Sequence, residues 1–194
     1  MKLPPVILAS ASPRRSDLLR EMGVEFQVVP SDAEEIHNEQ LTAREICQIN
    51  AYRKARVIAK RYPDMLVIGA DTLVYLGVSL FGKPRDLLDA ERMLAGLSGK
   101  THQVVTGVCL IHLRAHRQSI FADTTDVTFR ALSTEQIRDY LGKIEPLDKA
   151  GAYAIQDHGD LIVDHIDGSL SNVIGLPVER LRIELAEFQN ADRR

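Results

Sequence analysis

A chain of 194 residues with 45% hydrophobic content has room for one large α/β domain or two small lobes, and needs no staples to bury its core. Its formal charge of −3, with no block of like charges, argues against a nucleic-acid-binding surface but not against a few cations gathered in one pocket. The two cysteines, Cys47 and Cys109, lie outside any CxxC or Cys/His cluster and read as buried reduced thiols, and the opening apolar run at 6–9 is too short for a signal or a span, so the expected setting is the cytoplasm, off the membrane.

In chain order, residues 6–9 read as a short buried strand. Ser12 as N-cap and Pro13 at the first helical position then open a helix whose apolar face, Leu18, Leu19 and Met22, ends at Gly23. Residues 26–29 are a second strand. Thr42 and Glu45 form a capping box at the head of a long helix running through Ile46, Ile49, Ala55 and Ile58 to about Arg61. A buried strand at 66–68 runs into Gly69-Ala70-Asp71-Thr72, and 73–81 reads as a hairpin turning at Leu76-Gly77. A helix over 87–97 stops at Gly99. Two long β segments, 103–113 and 118–129, flank a polar turn at 114–116, and Ser133 with Gln136 caps a further helix. The last third predicts short strands near 152–155 and 161–166, a turn at Asp167-Gly168, a loop over 171–177 and a final helix from Pro177. This alternation of strand and helix predicts one α/β domain spanning 1–194, a mixed twisted sheet with flanking helices.

Several segments carry chemistry, each with a plainer alternative. Ser10-Ala11-Ser12-Pro13-Arg14-Arg15 delivers a strand to a helix N-terminus. Either it is an ordinary Ser-Pro helix start with a solvated basic turn, or the two arginines, which oppose the helix dipole, bracket an anion. Asp71 follows a buried strand and a glycine, where open α/β sheets place ligands, or it merely caps a turn. Asp32, Glu34 and Glu35 form either a solvated acidic loop or part of a hard-cation site. Phe81-Gly82-Lys83-Pro84 is a basic loop without Walker A spacing. The segment from Asp148 to Gln156 brings Lys149 and small residues to a tight strand entry, and Asn172 is a turn former or a ligand contact. No histidine has a helical partner four residues away, so none is assigned to a metal. Taken together, these loops support an anionic small-molecule site with a divalent metal. The reaction does not follow from spacing.

The ordered set LASASPRR, DAEE, NAYRKA, GADT, GKPRD, LSGKTHQVVTGV, EPLDKAGAYAIQ and SNVIGLP closely resembles the Maf (septum-formation inhibitor) family from end to end. The resemblance implies an α/β fold with two lobes around a central cleft and frequent homodimers. It also implies divalent-metal-dependent (Mg²⁺ or Mn²⁺) hydrolysis of a nucleoside triphosphate to monophosphate and pyrophosphate. Carried over motif by motif, it implies Asp71 as the general base, with Glu35 beside it on the metal. Ser10, Arg14 and Arg15 become phosphate contacts, and Lys54 and Lys83 charge stabilisers. Arg14, Thr72 and Gln156 match the dTTP/UTP-cleaving branch rather than the 7-methyl-GTP branch. Leu170 and Asp157-His158 depart from the family's usual residues. A nucleotide-binding regulator of cell division without turnover is the rival from another class, and its expected mark, a damaged acid set, is missing because Asp71 and Glu35 both stand.

Overall fold

In the computed structural model, which describes residues 4–190, the chain opens with parallel strands. β1 (Val6–Leu8) pairs in parallel with β2 (Phe26–Val28) and with β3 (Leu66–Leu76), so that Val6 lies opposite both Phe26 and Leu66. Parallel neighbours need crossovers, supplied by α1 (Pro13–Glu21) and α2 (Ala43–Arg61). β3 turns at Gly77, φ +61°, into antiparallel β4 (Ser79–Phe81), the expected hairpin. There follow α3 (Leu87–Leu97), β5 (Thr101–His112), β6 (Arg117–Phe129), α4 (Thr134–Leu141), β7 (Val163–Asp167), α5 (Leu170–Ile174) and α6 (Val178–Asn190). The seven-stranded mixed sheet runs β2-β1-β3-β5-β6-β7, with β4 beside β3 and β7 antiparallel to β6.

The chain forms two compact units. The first is drawn from Met1–Asp71, Thr106–Asp123 and Gly175–Arg194, and the second from Thr72–Val105 and Thr124–Ile174. The first unit buries Ile7, Val67, Cys109 and Ile111 against Ala51, Ala55, Ile58 and Ala59 of α2. The second packs Leu94 and Leu97 of α3 and Ile137, Tyr140 and Leu141 of α4 against Val104, Val127 and Phe129. Both cysteines are buried free thiols, and burial pushes the Cys109 thiol up to about 12. Among the described residues no helix is long and apolar enough to cross a membrane.

Both capping boxes form as expected, at Thr42/Glu45 and Ser133/Gln136. Ser12 occupies the N-cap of α1 without a side-chain cap; its own N–H instead donates to Ser10 Oγ at 3.2 Å. Three expectations late in the chain need correction. Residues 152–155 are not a strand, because Gly151 and Ala152 adopt φ of +72° and +63°, and the left-handed region cannot continue a ladder. That stretch begins instead at a tight turn in which the Ala152 N–H donates to the Lys149 carbonyl at 3.1 Å. The strand expected at 161–166 starts later, at Val163, after a 3-10 turn. The loop expected at 171–177 begins as the short helix α5, because Ser169 Oγ accepts the Asn172 N–H at 3.2 Å and caps the turn.

Candidate active site

In the first unit a helix lies unusually close to the sheet. A Cβ on Gly69 would come within 2.4 Å of the Ala51 carbonyl oxygen, and one on Gly107 within 2.4 Å of the Cys47 carbonyl carbon. Only glycine at these two strand positions lets α2 approach so far. The inward stripe of α2 comprises Ile46, Cys47, Asn50, Ala51, Ala55, Ile58 and Ala59, so a polar residue, Asn50, sits inside an otherwise apolar face. Lys54 stands one turn beyond Asn50, at the i, i+4 spacing that stacks side chains along one face. Asp71, two residues after Gly69, meets both.

Asp71 is 4% exposed, and each carboxylate oxygen has a donor. Lys54 Nζ donates to Oδ1 at 2.7 Å and Asn50 Nδ2 to Oδ2 at 3.0 Å. The same Lys54 ammonium donates to Glu35 Oε1 at 2.7 Å, so one cation draws two carboxylates together. Asn50 also accepts the Ile36 N–H at 2.8 Å and donates back to the Ile36 carbonyl at 3.3 Å, tying the acidic loop to the helix. Of the acidic triplet only Glu35 joins this network: Asp32 pairs with Arg61 at 3.3 Å in solvent, and Glu34 is exposed.

Arg15 borders the same centre. Its guanidinium donates to Ser10 Oγ and the Ala70 carbonyl, both at 3.1 Å, and to the Gly175 carbonyl at 2.9 Å. Burial pushes it below the usual arginine range, while Asp71 pulls the other way and Arg14 adds to the lowering. Ser10, Arg15, Glu35, Lys54 and Asp71 thus form one charged network, with half-buried Arg14 beside Arg15 on α1. A fixed carboxylate ringed by fixed cations suits anion binding next to a proton acceptor. Asn50 escaped the sequence reading, although an amide inside the apolar stripe of a helix was a visible signal.

Thr72, Lys83 and Gln156 belong to the second unit. Thr72 is half-buried, and Lys83 and Gln156 are exposed. Gln156 lies on a turn lining a hollow of about 660 Å³, with Lys149, Glu145, Asp157 and His158. The Lys149 ammonium is taken by Asp148 Oδ1 at 2.7 Å and the Glu145 carbonyl at 2.5 Å. The segment leading to Gln156 is pinned from inside. Tyr140 Oη donates to the Ala154 carbonyl and accepts the Ala154 N–H, both at 3.1 Å, and Tyr153 Oη meets His102 Nε2 at 2.9 Å. His102, Phe129 and Tyr153 stack edge to face. Burial drives His102 down to about 4, with Asp126 opposing, and Tyr140 up to about 12. The whole pin is therefore neutral. Asn172, fully buried, donates to the Val104 carbonyl at 2.9 Å and Thr125 Oγ1 at 3.0 Å, a structural tie rather than a surface turn. Neither tyrosine carried a legible signal, because a tyrosine in an amphipathic helix or after a small-residue run reads simply as core.

The model of the Maf-like protein family matches residues 5–188. A dTTP/UTP pyrophosphatase of Akkermansia muciniphila is 44% identical, covering 91% of this chain and 92% of its own. One from Alkaliphilus oremlandii is 45% identical, covering 93% and 94%. Among solved structures, the Ham1 protein of Staphylococcus aureus aligns with a TM-score of 0.55 at 15% identity, covering 94% of this chain and 98% of that one. A HAM1 protein from Coxiella burnetii aligns at 0.53 and 14%, covering 95% and 100%. These two likenesses concern the fold alone.

Proposed function

The chain belongs to the Maf-like protein family, and from that premise we propose that it hydrolyses nucleoside triphosphates, dTTP and UTP foremost, to the monophosphate and pyrophosphate. It is an enzyme of the class that cleaves acid anhydrides, as its pyrophosphatase relatives are named. The observation that carries the reading is the buried Asp71 carboxylate, held by Lys54 and Asn50 and drawn toward Glu35 through the same lysine.

In this reading Asp71 takes a proton from water as the water oxygen attacks the α-phosphorus. The bond from that phosphorus to the bridging oxygen breaks, and pyrophosphate leaves with the bond's electron pair. Lys54 offsets the charge that gathers on the phosphate oxygens, and Ser10, Arg14, Arg15 and Lys83 hold the triphosphate. Such chemistry asks for positioning and neutralisation more than covalent help. The donor set also fits a divalent metal. Glu35 and Asp71 each present an oxygen 2.7 Å from one cationic nitrogen, and Mg²⁺ is held by one or two carboxylates plus water and substrate phosphate. Those two carboxylates would hold it, and when bound it polarises phosphate oxygens and orients water. Base choice is assigned to Arg14, Thr72 and Gln156. Residues 1–194 are read as one Maf-like domain in a cytoplasmic protein, and the homodimer carries over by resemblance alone.

A panel of canonical and modified triphosphates with Mg²⁺ or Mn²⁺, reading pyrophosphate against orthophosphate, tests this directly. Pyrophosphate release led by dTTP and UTP is expected. Orthophosphate as the product would overturn the reaction, and no turnover at all would favour the non-catalytic regulator. Preference for 7-methyl-GTP would overturn the branch alone.

A further inference from the structure

We propose that Asn50 is a positioning residue that aims the Asp71 carboxylate and fixes the Glu35 loop relative to it, a role that rests on the reading of Asp71 as base. The residue is 1% exposed in the middle of α2, on a stripe whose other buried members are alanine, cysteine and isoleucine. A buried carboxamide in such a face costs stability unless its hydrogen bonds are made. Here three are made, and their directions are unambiguous. A backbone N–H can only donate, so the contact with Ile36 N–H identifies the acceptor end of the amide. The NH₂ end must then serve the two remaining contacts, the Ile36 carbonyl at 3.3 Å and Asp71 Oδ2 at 3.0 Å.

The geometry divides the work around Asp71. Lys54 holds Oδ1 and also reaches Glu35, so its contact is with side chains that substrate and metal would share. Asn50 holds the other oxygen, Oδ2, and its two remaining bonds go to the Ile36 backbone. Its amide is neutral, so it supplies direction without adding charge to the anion site. Through Ile36 it sets the backbone immediately after Glu35, so one side chain fixes both carboxylates. Glutamine is too long for this span and alanine leaves all three partners unanswered.

The test is a double-mutant cycle in the full-length protein with dTTP and Mg²⁺. Asn50→Ala and Asn50→Ser, first checked for a cooperative melt, are expected to lose about 10- to 100-fold in kcat with KM within about threefold, the signature of a misaimed group. Because Asn50 acts largely through Asp71, with the Glu35 loop as its second route, Asn50→Ala/Asp71→Asn should be slower than Asp71→Asn by far less than the Asn50→Ala factor, whereas independent effects would multiply. A second readout needs no turnover: amide exchange at Ile36 should accelerate in Asn50→Ala without nucleotide or metal. Unchanged kcat in the folded variants, multiplying losses, or unfolding of both would each overturn the proposal. Near-normal turnover in Asp71→Asn would instead defeat the base assignment, and the proposal with it. A slow Asp71→Asn beside an unaffected Asn50→Ala defeats the role of Asn50 only.

Discussion

The polar networks of the two units differ in kind. In the first unit the network is built of ions, Arg15, Lys54 and Asp71 within and Glu35 at the rim, with a single neutral amide, Asn50, among them. In the second the groups are neutral, His102, Tyr140, Tyr153, Thr125 and Asn172, apart from Lys149 paired with Asp148. Removing charge from water is expensive unless the ions compensate one another, so buried ions occur where they are paired. Neutral hydrogen bonds are enough where the task is to hold a backbone in a shape. The contrast is what the proposed function expects, with reaction at the first network and presentation of a turn by the second.

The contrast can be broken most directly at its lysines. Lys54 is 13% exposed and pairs with a carboxylate that is 6% exposed. Removing one partner of a buried pair leaves a charge uncompensated, which costs about 3–5 kcal/mol. Lys54→Ala should therefore lose both urea stability of that order, softened by the remaining Asn50 bond, and most of its turnover. Lys83 is exposed, and a surface substitution there should hold stability within about 0.5 kcal/mol while kcat/KM still falls. Equal urea midpoints for the two variants would erase the distinction drawn between them. Unchanged kcat/KM in Lys83→Ala would return that lysine to a solvated loop.

The neutral network makes the opposite prediction, a dependence on pH. His102 is held near 4 by burial, below its value of about 6.5 in an unfolded chain. Below 6.5 the unfolded chain takes up a proton that the folded one refuses. Stability is thus complete above about pH 6.5 and drains as pH falls toward 4. Between pH 7.5 and 5 the loss from this residue is about 2 kcal/mol by that linkage, at about 1.36 kcal/mol per pH unit. Urea midpoints of wild type and His102→Gln over that range measure it: the variant should be less stable at pH 7.5 but flatter. Parallel pH curves would mean that His102 does not titrate across folding.

The chain up to α4 is far more legible in its sequence than the part beyond that helix, for a physical reason. α2 and α4 announce themselves through complete capping boxes, and α3 through an uninterrupted helical period ending at Gly99. The stretch from Lys149 to Leu161 is held by contacts from far along the chain, such as Tyr140 to Ala154 and Tyr153 to His102, which no local pattern displays. Its left-handed residues include Ala152, a type that does not advertise positive φ. The site divides the same way. Asp71 and Lys54 lie in segments whose resemblance to the family is specific, whereas the pairing of Asn50 with the Ile36 backbone bridges fourteen residues and needs the packed structure to be seen.

The smallest expected effect concerns base choice. Gln156 carries a donor and an acceptor, which suit the imide edge shared by uracil and thymine. A deeply buried amide would reject a mismatched base strongly, but Gln156 is exposed on its turn, where water takes up an unpaired group. If Gln156 reads the base as proposed, the discrimination expected from it is about 1 kcal/mol, or roughly 5- to 10-fold. Gln156→Glu keeps the acceptor that a ring N–H needs and replaces the donor facing a base carbonyl with a second acceptor. The ratio of kcat/KM for UTP over CTP should fall by about that factor, with CTP nearly unchanged. Tyr140→Phe sharpens the assignment, because it removes both bonds to Ala154 while leaving Gln156 itself intact. If the neutral network presents the turn, Tyr140→Phe should lower the same ratio in the same direction, by less. Equal losses for UTP and CTP in Gln156→Glu would mean that Gln156 binds some part of the nucleotide other than its base.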